Sequence, residues 1–99
     1  MITKEPLPDR RNVQVTFELP SSIWAERVNL VGDFNNWDPS KGAMRQGRSD
    51  GNWRITLILP VGRQYQFRYL VNGRDWHNDW HADEYVPNRY GTDNSVVNT

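Results

Sequence analysis

Trp53-Arg54-Ile55-Thr56-Leu57-Ile58-Leu59-Pro60-Val61-Gly62-Arg63-Gln64-Tyr65-Gln66-Phe67-Arg68-Tyr69-Leu70-Val71-Asn72-Gly73 is the stretch that decides the fold. Trp53, Ile55, Leu57 and Leu59 alternate with Arg54, Thr56 and Ile58. After the turn Pro60-Val61-Gly62, Tyr65, Phe67, Tyr69 and Val71 alternate with Gln66, Arg68 and Leu70. A period of two sends successive side chains to opposite faces, so each run reads as a strand with one face in a core. Asn72-Gly73 is then a strong hairpin signal, because both residues tolerate positive φ. A short strand around Asp75 to His77 is predicted to follow.

The pattern extends in both directions. Val13, Val15, Phe17 and Leu19 alternate with Gln14, Thr16 and Glu18, which predicts a half-buried antiparallel strand. Val28 and Leu30, with Val31, predict a second, shorter one. Asp33-Phe34-Asn35-Asn36-Trp37-Asp38-Pro39 reads as a turn-rich loop, since Asn and Asp bond to nearby backbone and Pro fixes φ. A weak strand is expected from Ala43 to Gln46, and a tight turn at Ser49-Asp50-Gly51-Asn52. Asn78 to Asp93 is polar, aromatic and irregular, and Ser95-Val96-Val97 predicts a closing strand. No window of a dozen residues repeats apolar groups at helical spacing, and Pro and Gly punctuate the chain throughout. About seven to eight short antiparallel strands separated by turns make an all-β sandwich. Residues 1–11 are expected to form a frayed arm, and residues 12–99 a single domain.

Composition narrows the function. The chain has 99 residues, 12 Lys and Arg against 12 Asp and Glu, and no Cys. A chain this short builds one core and leaves little for a deep interdomain cleft. Zero net charge argues against nucleic acid, which asks for a surplus of Lys and Arg to displace counterions. The absence of Cys removes disulfides, thiolate nucleophiles and Cys-based metal sites. The longest apolar stretch, Ile55 to Val61, is too short for a bilayer, and Met1-Ile2-Thr3-Lys4-Glu5-Pro6 has no signal-peptide character. A soluble, cytoplasmic protein without membrane contact is expected.

Catalytic and metal readings find weak support. Asp33, Asp38, Asp75, Asp79, Asp83 and Glu84 are available for a glycosidase-type pair, but acids in a sandwich commonly cap turns. His77 or His81 with a Ser and an Asp lacks a nucleophile-elbow motif. His77-x-x-x-His81 would share a face only on a helix, and this segment reads as loop or strand. No catalytic activity, metal or cofactor is predicted.

The aromatics carry more. The five Trp of this chain exceed what one small core uses. Trp53 belongs to a core face, and Trp24 plugs a loop or sits at an edge. Trp37, Trp76, Trp80 and Tyr90 lie among polar residues, where no periodicity buries them. Several such rings on a neutral domain suggest a stacking platform. Sugar rings offer faces of C–H groups, and each stack buries roughly 100 Å², worth about 1–3 kcal/mol before the costs of binding. Hydroxyls then require fixed donors and acceptors. A neutral polysaccharide fits this balance better than single-stranded nucleic acid, which needs a basic groove.

Val28-Asn29-Leu30-Val31-Gly32-Asp33-Phe34-Asn35-Asn36-Trp37 resembles the motif of carbohydrate-binding module family 48, which includes the glycogen-binding domains of AMP-activated protein kinase β subunits and the N-terminal domains of isoamylases and branching enzymes. The similarity continues through Gly51-x-Trp53, Leu59-Pro60-x-Gly62, Tyr65-x-Phe67-x-Tyr69-x-Val71-Asn72-Gly73-x-x-Trp76 and Gly91-Thr92-x-Asn94-Ser95-Val96-Val97. The resemblance implies an immunoglobulin-like early-set β-sandwich that binds α-1,4-glucan (glycogen, starch, maltooligosaccharides, cyclodextrin). It implies Trp37 and Trp76 as stacking platforms, Arg68, Thr92 and Asn94 as hydroxyl partners, and Tyr90 as a hydrophobic finger.

This chain departs from the family pattern in places. Arg68 stands where Lys is common, Tyr90 replaces an aliphatic finger, and one extra residue separates the turn from Trp76. Asp79-Trp80 replaces Asp-Pro, which makes Trp80 an additional candidate contact. These changes bear on affinity and glucan length more than on ligand class. The alternative within the family is an early-set domain that binds no sugar and braces or recruits a glucan-processing enzyme, in cis or in trans.

Overall fold

The alternation is realised as nine strands in a computed structural model describing residues 1–99. They are β1 (Ile2–Pro6), β2 (Asn12–Leu19), β3 (Val28–Gly32), β4 (Arg45–Gln46), β5 (Trp53–Pro60), β6 (Gln64–Val71), β7 (Asp75–His77), β8 (Glu84–Pro87) and β9 (Asp93–Asn98). One antiparallel sheet has the order β1-β2-β5-β4 and the other β3-β6-β9-β8, with β7 paired to the C-terminal part of β6. This is the all-β, two-sheet architecture expected of an early-set sandwich.

The register explains the core. Val13, Val15, Phe17 and Leu19 of β2 lie opposite Leu59, Leu57, Ile55 and Trp53 of β5. Their inward side chains meet Val28, Leu30, Phe67, Tyr69, Val71 and Val97 of the second sheet. Phe17 and Phe67 join the two sheets edge to face, with ring centroids 5.0 Å apart. Burying such a ring contributes about 1.5–3 kcal/mol. Trp53 takes the core position its alternation predicts.

Between β3 and β5 the chain changes sheets. Leu30 N–H donates to Gly42 O at 2.7 Å and Met44 N–H to Val28 O at 2.9 Å, extending the edge of β3. β4 then pairs with β5 in the opposite sheet. The weak strand expected at Ala43 to Gln46 is thus a crossover shared by both layers.

Two expectations need correction. Residues 1–11 are not simply a frayed arm, because Ile2 to Pro6 pair with Phe17 to Val13 as an edge strand. Only Ile2 is partly buried there, so backbone pairing supplies the order and no alternation advertises it. The irregular segment from Asn78 to Asp93 contains β8, an exposed edge strand paired with β9.

The opposite face of β6 positions the site. Alternation sends Gln66, Arg68 and Leu70 outward. Val96 of β9 lies opposite Gln66, Val31 of β3 opposite Arg68, and Trp76 of β7 opposite Leu70. Val31, Leu70 and Val96 are buried on this face, outside the main core cluster.

Candidate functional site

Gly32 begins the site. A Cβ here would lie 2.5 Å from Gln66 O and 2.7 Å from the Phe67 Cβ, so only glycine permits this approach of β3 to β6. A 3-10 turn over Asp33–Asn35 follows. The Asn35 side chain staples it, accepting from Gly32 N–H at 3.0 Å and donating to Leu30 O at 2.9 Å. Asn36 and Trp37 then take left-handed backbone conformations, with φ of 58° and 57°. Each costs about 1–3 kcal/mol and persists only where the surroundings enforce it. Trp37 N–H donates to Gly32 O at 2.9 Å, and its indole N–H donates to Asp33 Oδ1 at 2.8 Å. Asp33 Oδ2 accepts Gln66 N–H at 2.7 Å, so one carboxylate ties the Trp37 ring to β6.

The opposite wall comes from the turn between β8 and β9. Asn94 Nδ2 donates to Gln66 Oε1 at 3.1 Å, and the Asn88 side chain bonds to Tyr90, Thr92 and Asn94. The Arg89 guanidinium lies 5.4 Å from the Tyr90 ring centroid. Across the sheet, the Arg68 guanidinium lies 5.9 Å from the Trp76 centroid and reaches Thr92 Oγ1 at 3.4 Å, a long contact.

These walls enclose an open cavity of about 480 Å³ lined by Asp33, Trp37, Gln66, Trp76, Asn88, Arg89, Tyr90 and Asn94. Trp76 is 43% exposed and Tyr90 78%, while Trp37 is half-buried. Of the residues singled out in the sequence, Trp37, Trp76, Tyr90 and Asn94 therefore come together. Arg68 and Thr92 contact this group without lining the cavity. Trp80, 60% exposed, lines a separate apolar pocket with Met1, Leu19, Pro20 and His81. Trp24 is 93% exposed beside Ser21, Glu26 and Gln46.

Sequence reasoning missed Gln66, Asn88 and Arg89 as cavity residues, and read Asp33 as a turn residue and a candidate acid. Gln66 precedes Arg68 by two on one strand face, which is a readable signal. Asn88 sits just before Arg89-Tyr90-Gly91, the setting of a side-chain-closed turn. Asp33 is the one carboxylate lining the cavity, whereas glycoside hydrolysis uses two. His77 and His81 belong to no group of three His, Cys, Asp or Glu side chains able to hold a metal ion.

A second polar network lies on the inner face of the same strands. Tyr69 O–H donates to Asp79 Oδ2 at 2.7 Å, and His81 N–H donates to Asp79 Oδ1 at 2.7 Å. Asp79 N–H donates to Ser95 Oγ at 2.9 Å, and Asp79 is only 1% exposed. Burial, reinforced by the Asp79 carboxylate, pushes the Tyr69 phenol well above its ordinary pKa. Tyr85 O–H donates to Asp79 O at 2.5 Å, which anchors the segment leading to the cavity wall.

Comparison with known proteins places the chain. It is 46% identical over 68 residues to 1,4-alpha-glucan branching enzyme GlgB 2 of Xanthomonas campestris pv. campestris (strain 8004), covering 62% of this chain and 9% of that protein. The branching enzyme GlgB of Pseudomonas putida is 43% identical over 58 residues, covering 54% of this chain and 8% of that protein. The chain thus spans about a tenth of the length of these curated relatives. Among solved structures, the enterobactin esterase FES from Shigella flexneri superposes with a TM-score of 0.58 at 18% identity, over 90% of this chain and 23% of that one. That likeness concerns the fold alone. The family of Carbohydrate-binding module 48 (Isoamylase N-terminal domain) matches residues 6–86, and the chain belongs to it.

Proposed function

We propose that this module binds α-1,4-glucan, as glycogen, starch or maltooligosaccharide, by stacking sugar rings on Trp37 and Trp76 around the Tyr90 finger, without catalysis. The observation that carries the proposal is the cavity in which Trp37, Trp76 and Tyr90 meet Asp33, Gln66 and Asn94. Rings supply contact area, and the amides and carboxylate supply hydroxyl partners. Arg68 backs Trp76, where its planar guanidinium lies near the ring, and with Thr92 it extends the polar rim. The binding uses no metal and no cofactor. A cytoplasmic location belongs to the same proposal.

A shallow face orders few sugar units, so affinity for short oligosaccharides is expected to be on the order of micromolar to millimolar. Native electrophoresis through gels containing glycogen or β-cyclodextrin tests the proposal. Retardation of the pure protein is expected, and unchanged mobility with every α-glucan would overturn it. Release of reducing ends from glycogen by pure protein would contradict the non-catalytic part.

A second reading draws on the two exposed Trp outside the cavity. Trp24 and Trp80 are apolar surfaces available to a larger glucan-processing enzyme that the module braces or recruits. That reading predicts co-purification with such an enzyme and no retention on sugar.

A further inference from the structure

We propose that Asn88 is the positioning residue of the cavity, fixing both the shape of its C-terminal wall and the direction of the hydrogen bonds on its floor. This rests on the glucan-binding reading. A side-chain amide can accept two hydrogen bonds on oxygen and donate two from nitrogen. Asn88 uses all four, and the Thr92 hydroxyl also lies 3.2 Å from its Oδ1. Its Oδ1 accepts Tyr90 N–H at 2.9 Å and Thr92 N–H at 3.2 Å, which closes the turn carrying the Tyr90 finger. Its Nδ2 donates to Thr92 Oγ1 at 2.8 Å and to Asn94 Oδ1 at 3.0 Å.

The second pair sets a polarity. With Asn94 Oδ1 turned toward Asn88, Asn94 Nδ2 faces Gln66 Oε1 and donates to it at 3.1 Å. Gln66 is thereby oriented with its oxygen occupied and its Nε2 without a protein partner, in the cavity that Asp33 also lines; each Asp33 carboxylate oxygen accepts one bond from the protein and keeps a further lone pair. A sugar hydroxyl both donates and accepts, and this floor offers one partner of each kind. The relay from Asn88 through Asn94 to Gln66 therefore governs which hydroxyl geometry the cavity reads, while the rings supply area.

Asn88→Asp separates the two roles. Its carboxylate still accepts from Tyr90 and Thr92, so the turn persists, but it cannot donate to Asn94. Asn94 then presents its Nδ2 to the new carboxylate and its oxygen to Gln66, and Gln66 reverses in turn. Two acceptors then face the ligand where a donor and an acceptor stood. Asn88→Ala removes both roles.

The experiment pairs calorimetric titration with β-cyclodextrin and NMR of the free proteins. Asn88→Asp should retain slow hydrogen exchange at Tyr90 and Thr92 and an unchanged unfolding midpoint. It should also shift the Asn94 and Gln66 side-chain amide resonances and weaken binding on the order of tenfold. Asn88→Ala should speed exchange at both backbone amides and weaken binding further. Wild-type affinity in Asn88→Asp, or unmoved Asn94 and Gln66 resonances, would overturn the positioning role even if Asn88→Ala failed to fold. Wild-type protein that binds no α-glucan would overturn the functional reading beneath it, a result distinguishable because the resonances of the free protein are read independently.

Discussion

Strands β6 and β9 carry two polar networks on their opposite faces, and the contrast between them separates stability from the proposed binding role. The inner one joins Tyr69 and Ser95 to Asp79, away from water. The outer one joins Gln66 and Asn94 to Asn88 and, through Asp33, to Trp37, at an open surface. The bonds are of similar length on both faces. Their consequences differ because a buried group that loses its partner bears the whole cost of desolvation, while an exposed one turns to water. The inner network therefore holds the chain together, and the outer one holds a shape.

The sharpest way to break this contrast is Asp79→Ala. It strands the Tyr69 phenol and the His81 N–H, removes the partner of the Met1 ammonium 2.7 Å from Asp79 Oδ2, and should lower unfolding free energy by about 3 kcal/mol in urea titration. A loss below about 1 kcal/mol would mean that the inner face matters no more than the surface. Tyr69→Phe should cost less, about 1–2 kcal/mol, because only one bond is lost.

The same phenol gives an alkaline test. Its folded pKa lies above the ordinary value of 10.0, so its contribution is complete below that value and disappears as pH rises through the folded pKa. In ultraviolet titration a late-ionising phenol is expected, and Tyr69→Phe should remove that late step.

Asp33→Ala probes the outer face. It should weaken β-cyclodextrin binding about tenfold, equivalent to about 1.4 kcal/mol, by freeing the Trp37 indole, with a smaller change in unfolding free energy. An unfolding cost exceeding the binding cost would reverse the assignment of roles.

The smallest effect is expected at the edge. Lys4 Nζ donates to Asp83 Oδ2 at 2.6 Å, joining β1 to the segment before β8. Partial burial raises the Asp83 pKa, but hydrogen bonds from Asn98 N–H and Lys4 outweigh it and hold the carboxyl below its ordinary value of 3.8. The stabilisation is therefore complete above that value and is lost as pH falls through the depressed pKa. Melting curves of Lys4→Gln and wild type should differ slightly at neutral pH and converge in acid.

The sequence shows the two faces of β6 unequally. Phe67, Tyr69 and Val71 reveal the core by alternation, since burial of apolar side chains repeats with the strand period. Trp37, Trp76 and Tyr90 are legible as candidates from aromatics in polar loops and from the family resemblance, and Asn94 from the resemblance alone. Asn88 and Gln66 escaped notice because their importance lies in which way an amide points, and composition has no record of direction. β1 escaped for a related reason: an edge strand held by backbone bonds has no need of patterned side chains. Trp80 follows Trp76 closely in the chain, yet buried Asp79 turns the backbone between them and Trp80 faces another pocket.

The central claim is that Trp37 and Trp76 form a ligand platform supported from behind by the outer network. Calorimetric titration of wild type, Trp37→Ala and Trp76→Ala with β-cyclodextrin, alongside their unfolding curves, tests it most directly. The account predicts measurable wild-type binding, loss of at least about tenfold in each variant, and unfolding free energies within about 1 kcal/mol of wild type for Trp76→Ala. Wild-type affinity in both variants would contradict it.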